Sequence, residues 1–191
     1  MDEGDPMKTL VFAGSTRADS LNKKLAREAA RHLPGATYID LADYPMPLYD
    51  GDTEATKGLP EHARALKQLI REHDAIWIAS PEYNGSFPAI VKNLVDWVTR
   101  PDPGESHSIA FRGKIIGLLS TSPGPSGGKR GLRHLRELFE MIGSKVLTEQ
   151  VAIAKGTQGI AADGHLVRPE DEASLDALVR ATVEASVAQG V

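Results

Sequence analysis

The sequence predicts a doubly wound α/β fold, a five-stranded parallel sheet with helices on both of its faces. Three observations carry that expectation. Strand-like and helix-like stretches alternate along the whole chain, the pattern of consecutive βα units. The strand-like runs are continuously apolar, as in Ile115-Ile116-Gly117-Leu118-Leu119, which is what strands buried on both faces require. Finally, the segments directly after the first, third and fourth runs collect glycines, hydroxyls and amides, and this architecture binds its ligands beyond the carboxyl ends of its strands.

Taken in order, residues 8–13 read as a buried strand. Residues 21–33 read as a helix with Leu21, Leu25, Ala29 and Leu33 on one face, ended near Pro34-Gly35. Residues 36–40 form a short second strand, and Pro45, Pro47 and Gly51 mark a loop after it. Residues 59–72 are helical, with Pro60 suited to the first turn. Residues 74–79 make the third strand, and 87–99 a helix burying Ile90, Leu94 and Val98. Residues 114–119 are the fourth strand. A Gly/Pro-rich loop then leads to a helix marked by Leu132, Leu135, Phe139 and Ile142. Residues 145–153 hold the fifth strand, and 156–169 are irregular, with a turn at Asp163-Gly164. The last helix, 172–188, is expected to face Leu175, Leu178, Val179 and Val183 inward. Five such units predict a three-layer sandwich with strand order 2-1-3-4-5, whose ligand sits at the switch point between the first and third strands.

A chain of 191 residues is expected to form one domain with a sizeable core, preceded by a frayed acidic tail at residues 1–6. Its 41% hydrophobic and 25% charged residues are those of an ordinary globular protein. No apolar run approaches the ~18 residues of a membrane helix, so no membrane partner is expected. The acidic N-terminus does not read as a signal peptide, which is consistent with a cytoplasmic location. The absence of cysteine excludes disulfides, thiolate catalysis and thiolate-bound metals. Six scattered histidines show no ligand spacing, so no metal site is expected. A net charge of -4 gives no reason to expect nucleic acid.

Three loops carry the functional signal. The first runs Gly14-Ser15-Thr16-Arg17-Ala18-Asp19-Ser20-Leu21-Asn22 and opens a helix. A helix N-terminus offers unpaired N–H groups and the positive end of a dipole, and so suits a phosphate. Ser15, Ser20 and Asn22 add hydrogen bonds, and Arg17 adds charge. The competing reading is an ordinary βα turn capped by Ser20 or Asp19. The loop matches neither G-x-x-x-x-G-K-[ST] nor G-x-G-x-x-G, which argues for a single phosphate and against a P-loop ATPase or a Rossmann dinucleotide site. The second loop, Ser80 to Pro88, contains Pro81, Glu82, Tyr83, Asn84 and Gly85; its backbone groups and Tyr83 suit the polar edge and face of a flat ring, or the turn serves geometry alone. The third, Thr121 to Gly128, holds Ser122 and Gly124 and either approaches a ligand closely or is a flexible connection. Beyond it, Lys129, Arg130, Arg133 and Arg136 form a solvated helix face or meet an anion. Trp77 and Trp97 read as packing residues, and His107 and His165 as surface loop residues.

Gly14-Ser15-Thr16-Arg17 with Ser20 and Asn22, Pro81-Glu82-Tyr83-Asn84-Gly85, Lys92-Asn93-Leu94-Val95-Asp96-Trp97, and Ser122-Pro123-Gly124 with Gly127-Gly128 together resemble the NADPH-dependent FMN reductases, a flavodoxin-like family that includes chromate, quinone and azo-dye reductases. The resemblance covers the chain from about Met7 to Ile153. It implies FMN at the strand ends, with its phosphate held by Ser15, Arg17, Ser20 and Asn22 around Leu21. It places the isoalloxazine against Pro81 to Gly85, with Ser122 and Gly124 nearby. NADPH or NADH would donate electrons, and a quinone, azo compound, chromate or free flavin would accept them. No side-chain acid, base or nucleophile is required, so no catalytic residue is expected, and Glu82 reads as structural. The resemblance further implies a homodimer or homotetramer, to whose geometry Lys92, Asn93, Asp96 and Trp97 contribute. A flavodoxin-type electron carrier without its own substrate is the alternative.

Overall fold

The computed structural model describes residues 7–102 and 104–190. Its center is a parallel sheet of β1 (Thr9–Ala13), β2 (Thr37–Ile39), β3 (Ala75–Ala79), β4 (Ile115–Thr121) and β5 (Lys145–Ile153), in the order β2-β1-β3-β4-β5. β1, β3 and β4 are buried throughout, which accounts for their unbroken apolar sequences.

Alternate residues of these strands feed two cores. Leu10, Phe12, Ile76, Ile78, Ile116 and Leu118 face α3 (Glu61–Glu72), α4 (Ala89–Val98) and α5 (Lys129–Met141), through Leu66 and Ile70, Leu94 and Val98, and Leu132, Leu135 and Phe139. Val11, Ala13, Trp77, Ala79 and Leu119 face α1 (Leu21–Arg31) and α7 (Pro169–Gln189), through Leu25, Ala29, Leu175 and Leu178. Trp77 is fully buried, and its indole Nε1 donates to Thr182 Oγ1 at 3.2 Å, joining the middle of the sheet to the last helix.

The structure departs from the sequence expectation in particular places. The stretch read as a loop after β2 contains a 3-10 turn at Leu41–Asp43 and a helix, α2 (Gly51–Lys57). Asp50 caps α2 by accepting from Thr53 N at 2.7 Å, and Asp52 and Glu54 lie in its first turn. Pro60 and Pro88 are the N-cap residues of α3 and α4, so both helices start later than expected. Val183 faces outward, 49% exposed; the inward stripe of α7 runs Leu175, Leu178, Thr182 and Ala185, closer to a true helical period. The irregular stretch after β5 includes α6 (Gly156–Gly159) and an antiparallel bridge between Ile160 and Leu166. The tail expected at residues 1–6 lies outside the described residues.

Two polar clusters tie down the connections. Asn93 accepts from Tyr49 N at 2.7 Å and donates to Pro47 O at 2.9 Å, and Trp97 Nε1 donates to the same carbonyl at 2.9 Å. The segment before α2 is thereby strapped to α4. Just beyond the C-terminus of α4, the buried Lys67 ammonium donates to Arg100 O at 3.0 Å, Asp102 Oδ2 at 2.8 Å and Glu105 Oε2 at 2.5 Å. Hydrogen bonds from Lys67 and from the Asp102 N–H hold the Glu105 carboxyl down to about 2. The folded value lies below the ordinary 4.5, so this contribution to stability is complete above that value and is lost as pH falls toward 2. Urea midpoints measured from neutral pH into the acid range should fall less steeply for Glu105→Gln than for the parent; identical profiles would refute the assignment.

Candidate functional site

The site begins where β1 meets α1. Gly14 N donates to Ala79 O at 2.9 Å, which holds the turn against β3. A Cβ on Gly14 would fall 2.5 Å from Val91 Cγ2, so only glycine lets this turn pass α4. Ser20 is the N-cap residue of α1 and its carbonyl accepts from Lys24 N at 3.1 Å, yet its hydroxyl caps no N–H group. The backbone N–H groups of Leu21, Asn22 and Lys23 have no acceptor among the described residues. Three donors at the positive end of a helix are thus left for an outside acceptor. Ser15 and Ser20 line the same hollow and are only 4% and 6% exposed.

Two residues of this loop behave differently from the expectation. Asn22 does not extend its carboxamide toward a ligand. Its Nδ2 donates to Thr121 O and its Oδ1 accepts from Thr121 N, both at 3.0 Å, which clamps α1 to the end of β4. What Asn22 presents to the hollow is its backbone N–H. Arg17 is exposed; its Nε donates to Asp19 O at 3.0 Å and its Nη2 to the same carbonyl, which folds the guanidinium over its own loop.

In the second loop, Tyr83 and Ser86 exchange backbone hydrogen bonds of 2.8 and 3.0 Å. Between them Asn84 and Gly85 have φ of 53° and 80°, the two positive values that an Asn-Gly pair supplies in a primed hairpin turn. The turn projects Tyr83, 54% exposed, at the rim of the hollow, with Asn84 exposed beside it. Glu82 points elsewhere: its Oε2 accepts from Arg130 N at 3.0 Å and Gly131 N at 3.2 Å, capping α5. This explains the carboxylate without assigning it a proton-transfer role.

The third loop is held from behind. Lys155 N donates to Gly124 O at 2.9 Å, Gly156 N to Ser122 O at 2.8 Å, and Thr121 Oγ1 to Ile153 O at 3.1 Å. Gly128 ends the loop at φ 86°, and a Cβ there would fall 1.9 Å from Ser120 Oγ. Any side chain would push the start of α5 off the sheet.

The three loops meet around a hollow of about 140 Å³ lined by Ser15, Arg17, Ser20, Leu21, Asn22, Pro81, Glu82 and Tyr83, with Thr121, Ser122 and Pro123. Asn84, Gly85 and Gly124 lie just outside it, at the turn tip and on the third loop. Ser15, Arg17 and Tyr83 also border a second hollow of about 270 Å³ against Pro88, Ala89 and Ile90. Thr121 and Pro123 also line the hollow; sequence reasoning put both in the third loop without singling them out as ligand contacts. It also missed the buttress at Lys155-Gly156, which carries no chemical signature.

The donor set fits the phosphate of FMN: three free N–H groups, two buried serines and the exposed Arg17 cation at one end. Proline, tyrosine and open backbone at the other end suit a flat ring. A parallel 2-1-3-4-5 sheet with such a site over its switch point is a flavodoxin-like cofactor-binding protein. The model of the NADPH-dependent FMN reductase family matches residues 7–158. The chain is 35% identical over 163 residues to a 2-hydroxy-1,4-benzoquinone reductase of Burkholderia sp., covering 84% of this chain and 86% of that one. It is 31% identical over 150 residues to a quinone reductase of Escherichia coli K12, covering 76% of each. The solved flavoenzyme NAD(P)H:(acceptor) oxidoreductase of Paracoccus denitrificans superposes with a TM-score of 0.79 at 30% identity, over 93% of this chain and 96% of that one. The chain belongs to the NADPH-dependent FMN reductase family. It is an FMN-dependent oxidoreductase that draws its electrons from NAD(P)H.

Proposed function

We propose that this enzyme passes electrons from NAD(P)H through FMN to a quinone-type acceptor, and that the cofactor is held by the loops described above. The observation that carries the site map is the set of unpartnered N–H groups at Leu21, Asn22 and Lys23, opening beside the hydroxyls of Ser15 and Ser20. In this reading those groups and Arg17 hold the phosphate. The backbone from Pro81 to Gly85 and the Ser122–Gly124 stretch border the ring. When bound, FMN supplies the two-electron chemistry. The chain's residues bind and orient. Glu82 keeps the start of α5 in place, and Tyr83 offers an aromatic surface at the open rim for a donor or acceptor ring. The quinone assignment rests on the activities of the Burkholderia and E. coli relatives. The chain would act as one FMN-binding unit, in the cytoplasm, as a homodimer or homotetramer whose second copy closes the open rim.

The expected result is a yellow protein whose heat-released flavin runs as FMN on chromatography. Its visible band should bleach with anaerobic NADPH and return on addition of a benzoquinone. Light scattering of the same preparation should give a multiple of 20.5 kDa. FAD as the main flavin, or a colorless protein that ignores added FMN, would overturn the site map. A monomer would overturn only the assembly.

A further inference from the structure

We propose that Lys129, Arg130 and Arg133, on the first turns of α5, recognize the 2′-phosphate of NADPH and set a preference for NADPH over NADH. The inference rests on the flavin-reductase reading above. Its starting point is a set of charges in an unfavorable place. All three side chains are exposed, and none has an acidic or other side-chain partner among the described residues. They sit at a helix N-terminus with no acidic residue in its own first turn, and the Glu82 carboxylate at that end bonds the backbone N–H groups of Arg130 and Gly131, not the side chains of the cluster. Lys129 and Arg133 are four residues apart on one face, a spacing at which like charges repel.

At the same helical spacing a carboxylate was within reach of Arg133. Lys92 pairs with Asp96 at 2.5 Å and Arg136 with Glu140 at 3.2 Å, both four residues on along their helices. Arg133 has Glu137 at the same spacing and does not pair with it. A cluster that repels itself and leaves a suitable partner unused is a cluster open to an outside anion.

Its position selects the anion. Glu82 borders the cofactor hollow and accepts from the N–H groups of Arg130 and Gly131, so the start of α5 is one side chain away from that hollow. Because Glu82 already occupies those N–H groups, the positive potential here comes from the three side chains and not from the helix end. From Lys129 to Arg133 the cations extend about 6 Å along the helix axis, away from the rim. The ligand that must reach the flavin and also has a remote anionic group is the reduced dinucleotide. Its pyrophosphate is common to NADH and NADPH. A phosphate monoester carries close to two charges at neutral pH and three acceptor oxygens, which matches two guanidinium forks and an ammonium. Only NADPH has one.

The test uses the flavin-loaded protein and two probes, adenosine 2′,5′-bisphosphate and AMP, titrated by calorimetry. The parent should bind the bisphosphate at least ~10-fold more tightly than AMP, the size of one charge-assisted hydrogen bond. Replacing all three cations (Lys129→Ala, Arg130→Ala, Arg133→Ala) should erase the difference. Arg133→Glu alone should invert or abolish it, while Arg133→Lys keeps part of it. In steady-state assays the ratio of the NADH to the NADPH KM should fall toward one in the same order. Equal binding of both probes by the parent, or unchanged discrimination in the triple variant, would overturn the proposal. The flavin band separates this failure from the larger one. A yellow enzyme that treats both donors alike refutes only the 2′-phosphate site, whereas a parent without flavin refutes the reading on which it rests.

Discussion

Asn22→Leu is expected to lower the melting temperature by roughly 5–20 °C. The carboxamide of Asn22 is 4% exposed and satisfies both the N–H and the C=O of Thr121 at the end of β4. Leucine has similar bulk but no polar atoms, so both backbone groups lose their partner where water does not readily reach them. Each orphaned group costs about 1–3 kcal/mol, giving about 2–6 kcal/mol together. A chain of this size melts about 2–4 °C lower per kcal/mol. The clamp also fixes where α1 begins relative to the third loop, so FMN affinity should fall with stability. Thermal unfolding followed by circular dichroism, with and without FMN, checks both. A shift of less than ~3 °C would show that water replaces the amide at little cost.

Arg17→Ala is expected to weaken FMN binding by roughly 10- to 100-fold, the loss of a charge-assisted hydrogen bond worth about 1.5–3 kcal/mol. Arg17 is exposed and, among the described residues, bonded only to the carbonyl of Asp19 and, through its own N–H at 3.3 Å, to Ser15 Oγ. The melting temperature should therefore barely change. Arg17→Lys should recover part of the affinity, since lysine keeps the charge and loses the planar fork. Titration of apo-protein by quenching of flavin fluorescence gives the constants. If the alanine variant binds FMN as tightly as the parent, the phosphate lies elsewhere.

The contrast between these two residues shows what the sequence could reveal. The sheet order and the meeting of three loops follow from apolar runs and from polar residues placed directly after them, and both were legible. The partners of individual side chains were not. Asn22 and Arg17 look like equivalent phosphate ligands in one dimension, because nothing in the sequence brings Thr121 to one and the Asp19 carbonyl to the other. Glu82 is similar: its role as a cap for α5 requires two loops 48 residues apart to be adjacent. The helix α2 was missed for a different reason. The prolines at 45 and 47 before it and Gly51 at its first position read as loop, and they obscured the local signal of the cap at Asp50 with acids following it. Val183 is apolar yet half exposed, because the inward position belongs to Thr182, whose hydroxyl answers the Trp77 indole.

That bond between Trp77 and Thr182 also sets an order of events during synthesis. It spans 105 residues, which a ribosome takes roughly 5–20 s to add. Loops 14–22, 81–86 and 121–128, and the buttress at 154–156, are all translated before Thr182. The loops of the candidate site are therefore written out in full while the sheet face that includes Val11, Trp77 and Leu119 still lacks its last covering helix. While residues 157–182 are added, roughly 1–5 s at that rate, the nascent chain carries the loops of the candidate site on an unfinished core, with a greasy flank open to chaperones or to neighboring chains.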